Sequence, residues 1–107
     1  MSTGRAAETS AAEYLVKLGY TIITRNYRIR GGEIDLIALD NDVLVFVEVR
    51  WRADDLGEES IGTRKVEALR RTIQRYLTEM DVDRIWRCDL IVASPKECRH
   101  HRDFLSS

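Results

Sequence analysis

Gly31-Gly32-Glu33-Ile34-Asp35-Leu36-Ile37-Ala38, followed after a short polar break by Val45-Phe46-Val47-Glu48-Val49-Arg50, is the stretch that decides the fold. Both runs read as buried strands, yet both carry acids in their interiors. Carboxylates are almost never fully buried unless paired or bound to a cation. Strands that place Glu33, Asp35 and Glu48 among apolar neighbours therefore predict a cleft. Such a cleft predicts a divalent metal and, through it, a nucleic-acid phosphate. Side chains alternate across a strand with period two. A two-residue loop of Asn41 and Asp42 pairs Asp40 with Val43, sets Asp35 opposite Glu48 and Glu33 opposite Arg50, and projects all four onto one face. A slip of one residue would separate the two carboxylates. The two runs are nearly continuous in apolar residues, so both faces of their sheet need cover.

Outward from this hairpin, residues 2–18 read as a helix. Ala7, Ala11, Tyr14, Leu15 and Leu18 form one stripe, with Glu8 at its edge and Gly19 as terminator. Taken alone, Glu8 is an ordinary first-turn acid favoured by the helix dipole. Residues 20–27 read as a strand ending in the basic cluster Arg25, Arg28 and Arg30. Gly31-Gly32 marks a turn or a close backbone approach. Residues 33–39 and 43–51 are the two acid-bearing strands, and residues 53–62 are an acidic loop. Thr63 caps a second helix over residues 63–80, with Val66, Leu69, Ile73, Tyr76, Leu77 and Met80 inward. Arg64, Arg71 and Arg75 lie on its flank, near Lys65 and Arg70. Residues 85–93 form the last strand, ended by Pro95. The order is α-β-β-β-α-β with a short closing element. This predicts an α/β three-layer fold, a central mixed sheet flanked by helices.

The chain has 107 residues, enough for one domain over 1–107. Seventeen basic and 18 acidic residues leave a net charge of -1, so any nucleic-acid surface must come from arrangement, not bulk charge. Two cysteines without a CxxC spacing predict a reduced setting rather than a disulfide framework. With no apolar leader and no run near the ~18 residues of a membrane span, a cytoplasmic protein without membrane contact is expected. Walker-type, dinucleotide-binding and nucleophile-elbow motifs are absent from the sequence.

Hard divalent cations take oxygen ligands, often only one or two from protein carboxylates. Such an ion acidifies bound water and clamps a phosphate oxygen. Arg50 shares the Glu48 face, and Lys65 begins the second helix near the same end of the sheet. The local alternative is an ion network in which Arg50 neutralises Asp35 and Glu48 with no metal. Asp89, within an apolar strand, has Arg87 as a ready partner. Cys98, His100 and His101 offer only three clustered soft ligands, a weak zinc signal.

Glu8, Asn26-Tyr27-Arg28, Gly32-Glu33-Ile34-Asp35-Leu36-Ile37, Phe46-Val47-Glu48-Val49, Thr63-Arg64-Lys65 and Arg87-Cys88-Asp89-Leu90-Ile91-Val92 together resemble the YraN-like family. These are small bacterial proteins regarded as relatives of archaeal Holliday junction resolvases. The resemblance spans nearly the whole chain. It implies the restriction-endonuclease-like fold of the PD-(D/E)xK superfamily and a Mg²⁺- or Mn²⁺-dependent endonuclease acting on branched or structured DNA. DNA is favoured over RNA, and a homodimer would suit a two-fold junction. Carried over residue by residue, Glu8, Asp35, Glu48 and the Val49 carbonyl are metal ligands, and Asp35, Glu48, Arg50 and Lys65 are catalytic. Arg25, Arg28, Arg30, Arg64, Arg71 and Arg75 would bind the nucleic-acid backbone. The pattern departs at Arg50, which stands where the E-x-K lysine is expected. Arginine stabilises phosphate charge but does not give up its proton. The position leaves three readings: Arg50 orients water and balances charge, Lys65 replaces the lysine from the helix, or the domain is a catalytically silent nucleic-acid-binding module.

Overall fold

The computed structural model describes residues 4–53 and 61–105, which leaves most of the expected acidic loop outside the described residues. The elements run α1 (Arg5–Lys17), β1 (Thr21–Ile29), β2 (Gly32–Asp40), β3 (Val43–Trp51), α2 (Thr63–Glu79), β4 (Trp86–Ala93) and β5 (Cys98–His101). They build a five-stranded sheet in the order β1-β2-β3-β4-β5. Only β3 and β4 are parallel, and α2 is the crossover that a parallel pair requires. The result is a mixed α/β sheet consistent with a restriction-endonuclease-like fold, and β5 is the short closing element.

Local chemistry explains the boundaries. Leu18 closes α1, and Gly19 adopts φ 96, the left-handed conformation that ends helices. β1 continues past residue 27 because Ile29 pairs with Gly32 across Arg30 and Gly31, and Gly31 takes φ 86 there. The β2–β3 register runs from Asp40↔Val43 to Leu36↔Val47, as the two-residue loop dictates. Thr63 is not a cap: Gly62 is the N-cap of α2, without a side-chain cap bond, and Thr63 is the first helical residue. Met80 lies past the end of α2 and is 59% exposed rather than core. Leu18, expected on the α1 stripe, is likewise exposed. No helix among the described residues is long and apolar enough to cross a membrane.

Two cores sandwich the sheet. On the α1 side Ala7, Ala11 and Leu15 pack on Leu36, Ala38, Val45, Val47, Val49 and Ile91. On the α2 side Leu69, Ile73 and Tyr76 pack on Ile34, Ile37, Leu44, Phe46 and Cys88. At Gly32 the helix rests on strand backbone. A Cβ there would stand 2.0 Å from Thr72 Oγ1 and 3.1 Å from the Ala68 carbonyl oxygen. Thr72 is fully buried, and its hydroxyl donates to that carbonyl at 2.7 Å. The second glycine is therefore the close approach and the first is the turn. This contact sets where the first turns of α2 sit over β2 and β3.

A second polar feature ties β4, β5 and α1 together. Asp89, with no exposed surface, accepts hydrogen bonds from Arg87 Nε (3.0 Å) and the Asp103 N–H (2.9 Å), and pairs with His100 Nε2 (2.7 Å). Arg87 also donates to the Tyr20 hydroxyl (2.7 Å) and Asp40 (3.2 Å), and His100 Nδ1 lies 3.2 Å from the Tyr14 hydroxyl. Burial alone would raise the Asp89 pKa, but His100, the Asp103 N–H and Arg87 together hold it below the usual value.

Two stability outcomes follow. Gly32→Ala costs about 1–3 kcal/mol by overpacking, and Gly32→Ala/Thr72→Ala is less destabilised than the sum of the single variants, read by urea denaturation. Asp89→Ala leaves His100 and the Asp103 N–H without their acceptor and Arg87 with Asp40 as its carboxylate, and costs about 3–5 kcal/mol at pH 7. The Asp89 pKa is depressed, so its stabilisation is present above the ordinary value of 3.8 and fades as pH falls through the lower folded value. The gap between wild type and Asp89→Ala therefore narrows in acid.

Candidate functional site

Asp35 occupies an irregular point of the sheet. Ile34 and Ile37 belong to the α2-side core, whereas Leu36 and Ala38 belong to the α1-side core. Positions 34 and 36 of a regular strand share a face, so the alternation breaks at Asp35. The β1 register brackets it with Arg25↔Leu36 and Tyr27↔Ile34, and the residue between, Asn26, has φ 57. Asparagine is among the few non-glycine residues that adopt this conformation readily. The β2–β3 ladder ends at Leu36↔Val47, and the Val49 N–H instead donates to Asp35 Oδ2 at 2.8 Å.

Three carboxylates, each 3% exposed, come from three elements: Glu8 from α1, Asp35 from β2 and Glu48 from β3. Burial pushes the Asp35 pKa up to about 8, and the charges of Glu48, Glu33 and Glu8 push the same way against the Val49 N–H. Glu8 meets Arg25, whose Nη2 lies 3.8 Å from Glu8 Oε1 and donates to Thr9 Oγ1 at 3.2 Å. Glu48 meets Lys65, with Nζ 2.9 Å from Oε2. Lys65, Ala68 and Leu69 share one helix face, so the docking of α2 on Gly32 delivers Lys65 to Glu48.

A cleft of about 310 Å³ opens here, lined by Arg28, Gly32, Glu33, Glu48, Lys65 and Leu69 among others. Ile29 lines both this cleft and an adjoining groove that holds Arg30, Arg71 and Arg75. Of the arginines singled out in the sequence, Arg28 thus lines the cleft, and Arg30, Arg71 and Arg75 line the adjoining groove. Arg28 is paired with Glu33 at 2.9 Å, so Glu33 takes a β1 partner by its hairpin register rather than standing across from Arg50. Arg75 contacts Glu79 at 3.3 Å on the surface. Arg25 turns to Glu8, and Arg64 lies in neither cavity. Arg50 is registered with Val92 and does not line the cleft. Sequence reading did not find the Arg25–Glu8 contact, which joins residues 17 apart across α1 and β1 and carries no local signal.

A profile described as uncharacterised protein family UPF0102 matches residues 7–93. The chain belongs to the UPF0102 family. A UPF0102 protein of Carboxydothermus hydrogenoformans is 46% identical over 79 residues, covering 71% of this chain and 67% of that protein. One from Chloroflexus aurantiacus is 43% identical over 95 residues, covering 87% and 79%. One from Syntrophus aciditrophicus is 39% identical over 105 residues, covering 92% and 83%. The UPF0102 match contains Glu8, Asp35, Glu48 and Lys65, and β5 lies past its end.

As a donor set, Glu8, Asp35, Glu48 and the Val49 carbonyl offer hard oxygens only, which fits a Mg²⁺-like ion and not a soft one. The excess of negative charge acting on Asp35 is the electrostatic counterpart of that fit. Among the described residues no three His, Cys, Asp or Glu side chains already stand close enough together to hold an ion, and Glu48 is engaged by Lys65. Cys98 and His100 do not gather with His101 into a zinc set: the Cys98 thiol points to the Ser10 carbonyl and His100 is bound to Asp89.

The raised Asp35 pKa makes a signed prediction. Between the ordinary value of 3.8 and about 8, the folded protein holds a proton that the unfolded chain has released. Its contribution to stability is therefore lost as pH rises through that window. In EDTA, Asp35→Asn, which can still accept the Val49 N–H, gains on wild type by up to about 1.4 kcal/mol per pH unit between pH 5 and 8. A pH-independent difference in urea midpoints would mean that Asp35 is ionised throughout.

Proposed function

We propose that this chain is a metal-dependent, nuclease-like protein that binds DNA and hydrolyses phosphodiester bonds, with branched or structured DNA as substrate. One observation carries the reading: a buried Asp35 is surrounded by carboxylate charge beside Glu48, and Glu48 is held by Lys65 in a cleft that Arg28 also lines. Strongly perturbed carboxylates cluster at functional sites. The restriction-endonuclease-like architecture agrees with it.

Glu8, Asp35, Glu48 and the Val49 carbonyl would hold Mg²⁺ or Mn²⁺. When bound, such an ion acidifies water and neutralises phosphate oxygens. The chain's own groups supply the rest. Lys65 stands 2.9 Å from Glu48, where its ammonium orients water and balances charge on the phosphate, the task that the lysine of an E-x-K element would have from β3. This favours relocation of that lysine to α2 over a direct part for Arg50. Arg28 at the rim, with Arg30, Arg71 and Arg75 in the groove, tracks the DNA backbone without reading sequence. A second reading, a silent DNA-binding module, is favoured by Arg50 alone, because arginine at this position cannot act as a base.

Cleavage of linear, flapped and four-way DNA with Mg²⁺, Mn²⁺ or EDTA separates the two. The expected result is metal-dependent cleavage that falls at least ~10²-fold in Asp35→Asn and in Lys65→Met, with DNA binding by Lys65→Met weakened far less. Metal-independent binding without cleavage of any substrate leaves the silent module. Cleavage undiminished in Lys65→Met removes Lys65 from the role given to it.

A further inference from the structure

Helix α2 runs from the cleft to a second hollow. At a helical rise of ~1.5 Å per residue, Met80 lies roughly 22 Å along the axis from Lys65. A hollow of about 330 Å³ opens at that end, over Leu39, Leu44, Tyr76 and Val82. The exposed Asp81, Asp83 and Arg84 also line it. Three apolar side chains stand out around it: Ile23 is 44% exposed, Met80 59% and Ile85 75%. Ile23 and Met80 line the hollow. Ile85 stands beside it, because its carbonyl accepts the Leu44 N–H at 3.0 Å. Single exposed apolar side chains are ordinary, but a group of them around a concavity marks an interaction surface.

The chain that carries the charges is held in place. Asp81 takes φ 50 just past α2, and the Val82 N–H returns to the Leu77 carbonyl at 2.9 Å. Among the described residues, the side chains of Asp81, Asp83 and Arg84 make no hydrogen bond or ion pair. The surface thus presents two acids and one arginine, none of them neutralised within the chain. Strand addition is not the way this surface is used. β1 is an edge strand, but its register shifts between Ile22 and Thr24, so Ile23 sits in a bulge. A bulge blunts an edge against pairing with another strand. What remains is side-chain packing over the hollow.

We propose that this surface is a homodimer interface, and that its occupant is the same surface of a second copy of this chain. Charge complementarity carries the choice. A rim with both signs is its own complement under a two-fold rotation: Arg84 of each copy meets Asp81 and Asp83 of the other. The apolar part is self-complementary in the same way, because it has both a hollow and projecting side chains. Met80 of each copy enters the hollow of the other, and an unbranched, flexible side chain suits that task. A net charge of -1 sets little overall repulsion against the pairing. The clefts lie at the far ends of the two α2 helices and stay open. The dimer does not depend on the nuclease-like reading.

Sedimentation equilibrium of the full chain without DNA tests it, over concentrations up to about 1 mM, where an association of only ~4 kcal/mol is still visible. Wild type should be a reversible dimer. Met80→Asp should weaken it at least ~10-fold, as loss of a central apolar anchor does. Arg84→Asp and the double variant Asp81→Lys/Asp83→Lys should each be monomeric, because like charges then face each other. Mixed in equal amounts, these two should form a heterodimer, since one then carries an acidic rim and the other a basic one. The charge variants alter exposed side chains only, so they decide the matter if Met80→Asp does not fold. A wild-type monomer throughout the range overturns the proposal. So does a dimer that survives Met80→Asp and Arg84→Asp unchanged, or a mixture that stays monomeric. None of these outcomes bears on the nuclease-like reading, which the cleavage assay tests.

Discussion

The hydrogen bond from the Val49 N–H to the Asp35 carboxylate is the constraint on which the rest of the site depends. It replaces the next rung of the β2–β3 ladder, so the strands remain joined where regular pairing stops. It fixes Asp35 at the point where β2 changes the faces its side chains address. It also pulls the Asp35 pKa down, against burial and the charges of Glu48, Glu33 and Glu8. A neutral hydrogen-bond acceptor there would remove the electrostatic conflict and still take the Val49 N–H. The conflict is held in place by the surrounding structure, with Asn26 at φ 57 bracketed in register on one side and Glu48 on the other.

The packing of α2 supplies the complementary half. Because Gly32 lacks a Cβ, Thr72 and Ala68 come down onto strand backbone. Lys65, lying N-terminal to that contact on the same helical face, is carried over β3. A bulkier residue at position 32 would lift the helix and separate Lys65 from Glu48 at the same time. The stability of the α2-side core and the charge pairing at the site therefore share one cause.

Much of this was legible in the sequence because it rests on short-range periodicity. Asp40-Asn41-Asp42 between two apolar runs sets the hairpin register, and Asn41 takes φ 55 in the turn. Acids inside those runs mark the site without knowledge of the rest. The Gly31-Gly32 pair signals a turn or a close approach and is both. What periodicity does not carry is the partner of each charge. Glu8–Arg25, Glu48–Lys65 and Asp89–His100 join different elements, and only the packing angles of the helices and the docking of β5 decide them. The residue type of Thr63 suits a cap, yet Gly62 already has the extended backbone that a cap needs.

The sheet carries two buried polar clusters, and their difference is informative. Around Asp89, in register with Val47, the partners are complementary: Arg87, His100 and the Asp103 N–H surround one carboxylate, and its pKa is lowered. That arrangement lowers the energy of the folded chain and asks for nothing further. One residue farther along β3, Glu48 pairs with Lys65 and Glu8 lies near Arg25, while the charges of both carboxylates act on the buried Asp35 and help raise its pKa. Neighbouring positions of one strand pair thus hold a satisfied network and an unsatisfied one. Burial is the same in both, so burial does not explain the contrast; the supply of complementary charge does. A fold able to balance Asp89 so completely has the means to balance Asp35 too. That it leaves Asp35 in negative surroundings, with Glu48 lining a cleft beside Lys65 and Arg28, is the physical reason for assigning the first cluster to stability and for proposing chemistry at the second.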